Sequence, residues 1–166
     1  IPDLEASKQD LEDVPPMAIQ RDSGPRWPFY KGEKITINDA RKCKQAYFAC
    51  ISFVDAQIGR IMDALEANKL MDDTLIVVWS DHVYFLGEKG LWYKRKNFER
   101  SLRVPLIIAG GGVNAQIQSC DRPVELLDLY PTIVDHTGYE VPSVLEGESL
   151  VPLMNDPSGA WDKPAI

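Results

Sequence analysis

Thr74-Leu-Ile-Val-Val-Trp-Ser80 is an unbroken apolar run of strand length, set between a long helical pattern and a polar loop. A run without the alternation of a half-exposed strand is typical of a strand buried on both faces of a parallel sheet. Upstream, Tyr47, Cys50, Ile51, Val54, Ile58, Ile61, Met62 and Leu65 recur at three- and four-residue steps, which predicts one long amphipathic helix. Asn38 reads as its N-cap, with Asp39 in the first turn, and its end falls near Asn68. Downstream, Val104-Pro-Leu-Ile-Ile-Ala109 predicts a second strand with proline near its start, closed by Gly110-Gly-Gly112. Asp81 to Arg103, between the two strands, reads as a polar loop rich in glycine and aromatic residues. Val124 to His136 predicts a short helical region in one or two pieces, since Pro131 suits a first turn and Gly138 a C-terminal cap. Strands alternating with helices make the class α/β, a layered and mostly parallel sheet flanked by helices.

The 166 residues are enough for one domain's core, and 45% hydrophobic with 26% charged residues excludes collagen-like, low-complexity and wholly disordered classes. No apolar run approaches the ~20 residues of a membrane span. Lys+Arg 18 against Asp+Glu 25 leaves a net charge of −7, which argues against a general nucleic-acid surface or an anionic-membrane binder. An anionic substrate must therefore meet a local positive site. Cys43, Cys50 and Cys120 form no C-x-x-C pair and lack the even count of a secreted disulfide framework. Residues 1–37, with Pro2, Pro15, Pro16, Pro25 and Pro28 beside Trp27, Phe29 and Tyr30, read as an irregular covering segment that packs onto something larger. Residues 38–139 read as the α/β core, and 140–166 as a loop and the start of a C-terminal region. The first residue is not Met and no signal segment opens the chain, so it reads as a fragment or a processed chain.

The strongest local feature is Ser80-Asp81-His82, at the carboxyl end of the buried strand, where open α/β sheets bind ligands. Asp supplies a hard anionic oxygen and His a nitrogen, a combination suited to a divalent cation. Alternatively, Asp81 caps the following turn and His82 satisfies a local hydrogen bond. Lys89, Lys94, Arg95 and Lys96 follow in a glycine-containing loop and could cancel the charge of a phosphate- or sulfate-like group, or form a solvated basic loop. Trp92 and Tyr93 either line a sugar or aryl pocket or pack beside that loop.

The string Ser80-Asp-His-Val-Tyr-Phe-Leu-Gly-Glu-Lys-Gly-Leu-Trp-Tyr-Lys94, with Asn97-Phe98-Glu99 and Arg103-Val-Pro-Leu-Ile-Ile108, resembles the C-terminal half of the sulfatase catalytic core. It is most similar to iduronate-2-sulfatase-like and choline-sulfatase-like members. The resemblance extends through Tyr47-Phe-Ala-Cys-Ile-Ser-Phe-Val-Asp-Ala-Gln-Ile-Gly-Arg60, Leu126-Leu-Asp-Leu-Tyr-Pro-Thr132 and Gly147-Glu-Ser-Leu150, covering roughly residues 36 to 154. It implies an incomplete alkaline-phosphatase-like α/β fold, in which a calcium ion (Ca2+) and a formylglycine made from Cys or Ser cleave sulfate esters. It places Asp81 and His82 on the family's second pair of metal ligands, and Lys94 on the catalytic lysine that contacts the sulfate. The implied substrate is a sulfate ester, of a carbohydrate or a small molecule. The implied compartment is lysosomal, periplasmic or secreted.

Three departures accompany the resemblance. Val83 stands where the family usually has glycine, and a β-branched residue resists a positive φ, so it could displace the neighbouring ligands. Lys89 stands where related members often carry His, which alters a further sulfate or leaving-group contact. The family's nucleophile motif, Cys/Ser-x-Pro-x-Arg, occurs at no Cys or Ser of the chain. Cys50-Ile-Ser-Phe-Val reads instead as a core cysteine, while Cys120-Asp-Arg-Pro-Val and Ser23-Gly-Pro-Arg-Trp read as turns. The first aspartate pair of the metal site and the nucleophile are therefore expected upstream of residue 1, in a missing N-terminal part of the same protein, and the chain alone is expected to be inactive. His136 reads as a packing or helix-end residue, and the glycines 110–112 as a strand-ending turn. A phosphodiesterase or phosphonate monoester hydrolase of the same superfamily, and a decayed non-catalytic domain, are the alternatives. A sheet cut from a larger layer also leaves an open strand edge, from which oligomerisation or poor solubility is expected.

Overall fold

The protein is described from a computed structural model, in which residues 12, 14–18, 36–94, 96–114, 116 and 119–165 are described. The expectations for Trp27, Phe29, Tyr30, the Ser23 turn and Arg95 lie outside the described residues.

Helix α1 (Ile37–Ala67) is capped by Thr36, not Asn38. The reason is reciprocal: the Thr36 side chain accepts the Asp39 N–H at 3.2 Å, and the Asp39 carboxylate accepts the Thr36 N–H at 3.3 Å. This capping box satisfies two donors at once, and Asn38 falls inside the helix. Hydrogen bonds that Thr36 donates to the Asp39 carboxylate, first from its hydroxyl and then from its N–H, hold that carboxyl below its ordinary range. At the other end Asn68 is the C-cap, as expected. The apolar stripe is present but largely uncovered. Ala40 and Lys44 are buried, whereas Phe48, Ile51, Val54, Ile58 and Ile61 are exposed. Cys50 is exposed on this helix too, so the expected core cysteine is a surface residue, because nothing in the described chain covers that turn.

The chain divides into two compact units. The first contains α1 and Trp79–Pro105. Here the expected polar loop contains regular structure. Strands β2 (Phe85–Leu86) and β3 (Trp92–Tyr93) pair antiparallel, Phe85 with Tyr93 and Leu86 with Trp92, followed by a one-turn helix α2 (Glu99–Leu102). Leu91, buried, anchors the hairpin's turn through Gly87 N–H to Leu91 O at 2.9 Å. Two-residue strands carry no readable alternation, which is why the sequence pattern showed only a loop.

The second unit contains Lys69–Val78 and the chain from Leu106 onward. Strand β1 (Leu75–Trp79), most of which lies here, pairs with β4 (Leu106–Gly110) in a two-stranded sheet. Its residues are half-buried and Trp79 is 51% exposed, so β1 is not enclosed on both faces by the described chain. The three glycines end β4 as expected: Gly110 has φ +86°, and a Cβ there would lie 2.2 Å from Thr74 O. A 3-10 turn (Leu126–Asp128) leads directly into α3 (Leu129–His136), and Gly138 at φ +80° follows its cap, matching the two-piece expectation. A short α4 (Val151–Asn155) follows.

Two polar side chains bind α3 to the segment before α4. Asp128, 4% exposed, accepts the Glu125 N–H on one oxygen and the Glu148 N–H on the other, each at 2.9 Å. Thr132 donates its hydroxyl to Asp128 O and accepts the buried Leu150 N–H at 2.8 Å. Gly147 is required between them, since a Cβ would lie 2.2 Å from Leu127 O. The motifs Leu126–Thr132 and Gly147–Leu150 therefore act together as one structural tie.

Candidate functional site

Strand β1 ends at Trp79, and the chain then turns through Ser80, Asp81 and His82. Ser80 Oγ donates to His82 O at 2.9 Å, which closes the turn. Asp81 uses both carboxylate oxygens on its neighbour: Oδ1 accepts the His82 N–H at 3.0 Å, and Oδ2 lies 3.1 Å from His82 Nε2. The structure thus realises the local hydrogen bonds of the turn reading and also sets a carboxylate against an imidazole. The Asp81 side chain is 69% exposed and that of His82 34%. His82 Nδ1 is buried and has no hydrogen-bond partner. With Nε2 turned to Asp81, Nδ1 is left without a partner. The orphaned nitrogen lies on the other side of the ring from that carboxylate, and an imidazole and a carboxylate are donor types that fit part of a cation's ligand shell.

Two helices hold the segment that follows. Val83 N–H donates to Ser101 O of α2 at 3.1 Å, and Ser101 is 2% exposed. Tyr84 stacks on Tyr47 of α1, with ring centroids 5.7 Å apart. Burial first, then the charges of Cys43 and Tyr47, raises the Tyr84 phenol above its ordinary value. Val83 does not have a positive φ, so the anticipated conflict at this position does not arise. Within this segment the residue with a left-handed backbone is Lys89, at φ 51°. It lies between Gly87 and Gly90, with its ammonium 5.5 Å from the centre of the Phe98 ring.

Lys94 immediately follows β3 and is exposed. The register of the hairpin, continued by one pair, sets it opposite Tyr84, two residues beyond His82. The structure brings Asp81 and His82 into contact; Lys94 makes no ion pair with either. Among the described residues no group of three or more His, Cys, Asp or Glu is placed to hold a metal ion. Of the other cations, Lys89, Arg100 and Arg103 line an open cleft of about 650 Å3 together with Val83, Phe85, Phe98 and the acidic Glu88 and Glu99. Arg100 and Arg103 were missed in the sequence, because their relation to the hairpin exists only after α2 has folded against it. Trp92 is half-buried, and the Tyr93 side chain lies outside the described residues. His136, in the second unit, meets Gly111 O through Nε2 at 2.7 Å, the packing role anticipated for it.

A family model described as Sulfatase matches residues 16–139, three-quarters of the chain. The chain belongs to the sulfatase family. A sulfatase from Formosa agariphila is 38% identical over 157 residues, which cover 95% of this chain and 31% of that protein. Choline-sulfatase from Rhizobium meliloti is 41% identical over 129 residues, covering 76% of this chain and 25% of the relative. This sulfatase-family chain therefore spans less than a third of the length of either. Among solved structures, the phosphonate monoester hydrolase from Silicibacter pomeroyi superposes with a TM-score of 0.68 at 34% identity, over 72% of this chain and 23% of that one. The fold is accordingly part of the α/β, alkaline-phosphatase-like fold of the sulfatases.

Proposed function

We propose that the chain is part of the catalytic domain of a sulfuric ester hydrolase, in which Asp81 and His82 supply half of a calcium site and Lys94 contacts the sulfate. What supports this reading is the Asp81–His82 contact with its orphaned, buried Nδ1, followed by a hairpin whose register returns Lys94 to the level of Tyr84. Calcium takes about six to eight ligands, mostly oxygen, so two donors are part of a shell. The remaining ligands and the formylglycine belong to the part of the parent protein that these residues do not span. When bound, the cation would draw charge from the sulfate oxygens.

The chain's own residues then have distinct tasks. Asp81 supplies an anionic oxygen and, by holding the ring, fixes which His82 nitrogen is free. Lys94 donates N–H groups to the sulfate and stabilises charge there as the ester bond breaks. The net charge of −7 makes such a local cation necessary for an anionic substrate. The substrate is a sulfate ester of a carbohydrate or small molecule, and the compartment is lysosomal, periplasmic or secreted, as the resemblance implies.

Calorimetric titration of the full-length parent protein with calcium tests the metal assignment: Asp81→Ala and His82→Ala should each weaken binding, and an affinity unchanged by both would refute it. An aryl sulfatase assay on the 166-residue chain should show no turnover; robust metal-dependent sulfate release would overturn the fragment reading. The likeness to a phosphonate monoester hydrolase favours one second reading, hydrolysis of phosphonate or phosphate esters on the same groups. Turnover of aryl sulfates against phosphate diesters by the parent protein separates the two.

A further inference from the structure

We infer that Arg100 is a positioning residue for Lys94: through Glu88 it ties the tip of the β2–β3 hairpin to α2 and so keeps the register that presents residue 94. The inference rests on the assignment of Lys94 as the sulfate contact. A ladder of two residue pairs is too short to hold its own register, and an isolated hairpin is marginal even when longer. Its pairing must therefore be imposed from outside: α1 packs against β2, with Tyr47 stacked on Tyr84, and α2 with its N-cap Phe98 adds further contacts. Val83 is bound to Ser101, and the Phe85 ring meets the Phe98 ring edge-on with centroids 6.1 Å apart. These contacts fix only the first strand.

The tip is held by different groups. One Glu88 oxygen accepts the Leu86 N–H at 2.6 Å, and the other lies 3.4 Å from the Arg100 guanidinium. Beside it, Lys89 keeps a left-handed backbone that non-glycine residues adopt at a penalty, with its ammonium over Phe98. The Glu88 carboxylate thus links strand β2, the turn and α2 in one connection. A slip of a single residue in so short a ladder turns every following side chain to the opposite face. Lys94, the first residue after β3, would then leave the side on which it is presented. An ion pair that is weak as a contributor to stability thereby acquires leverage over the site.

Nuclear magnetic resonance of the metal-free 166-residue chain tests this with Arg100→Met, Arg100→Lys and Glu88→Gln. Loss of a partly exposed pair should reduce exchange protection of the Gly87 amide about two- to fivefold in Arg100→Met and Glu88→Gln. The Lys94 Cε and His82 Cε1 resonances should shift with it, and Arg100→Lys should restore both. The Leu150 amide, in the other unit, should keep its protection and so report an intact fold. If Arg100→Met proves insoluble, Arg100→Gln gives the same comparison. Unchanged Lys94 and His82 resonances in the Met variant, or failure of the Lys variant to restore them, would overturn the inference. Because no metal or substrate is present, this outcome is separate from the calcium titration, which alone decides the sulfatase reading of the site.

Discussion

Replacing Asp128 by Ala should open the C-terminal segment without touching the Asp81–His82 turn. Its carboxylate is 4% exposed and accepts two backbone N–H groups, from Glu125 and Glu148, both in partly buried settings. A hydrogen bond to a charged group contributes about 1.5–3 kcal/mol, and truncation leaves both donors unsatisfied. Allowing for water reaching the Glu148 side, the combined loss is about 3 kcal/mol, roughly a hundredfold in the local opening equilibrium. The assay is native-state amide exchange at Glu148 and Leu150, the latter bonded to Thr132 Oγ1 at 2.8 Å and so coupled to the same tie. Asp128→Asn should lose about half as much, since one amide position accepts an N–H while its NH2 faces a donor. Protection at both amides reduced by less than about threefold in the Ala variant would show that Asp128 is not what holds the segment.

Gly110→Ala should destabilise the β1–β4 pair by at least about 2 kcal/mol, because its φ is +86° and the new Cβ would lie 2.2 Å from Thr74 O; denaturant unfolding measures this, and a midpoint equal to wild type would refute it. The carboxyl of Asp39 is held below its ordinary value of 3.8 by hydrogen bonds from Thr36, so its support of α1 is complete above that value and fades as pH falls through the lower folded value. Fraying of the first turn should appear in that acid window by amide exchange and be independent of pH there in Asp39→Asn; equal pH profiles would contradict the capping role. The exposed Phe48, Ile51, Val54, Ile58 and Ile61 of α1 form an apolar stripe that predicts self-association of the 166-residue chain. Light scattering should show larger species that Ile51→Glu with Ile58→Glu reduces, and a monodisperse wild-type monomer would contradict the expectation.

The elements read correctly from the sequence are those whose signal is periodic. Apolar residues at three- and four-residue steps gave α1, unbroken apolar runs gave β1 and β4, and glycines at positive φ marked where β4 and α3 end. The capping box of Thr36 and Asp39 was also legible, as Thr-x-x-Asp, but Asn38 competed for the role as a good capping residue two positions too deep. Asp81, His82 and Lys94 stand out in the sequence as candidates through their motif, and the contact between the first two is what adjacent residues in a tight turn can make on their own.

By itself, then, the sequence determined the helices and strands long enough to show a period, the family, and the candidate site residues. Only the tertiary structure decided that the stretch from Asp81 to Arg103 holds a hairpin clamped to α2, that Lys89 and not Val83 carries the backbone strain, and that Asp128 reaches Glu148 twenty residues away. Likewise only the fold left Cys50 and the α1 stripe facing solvent. The physical reason is range: periodicity records how one element presents its faces, whereas a carboxylate's choice between distant N–H donors and a guanidinium is made by burial, which exists only once the chain has packed.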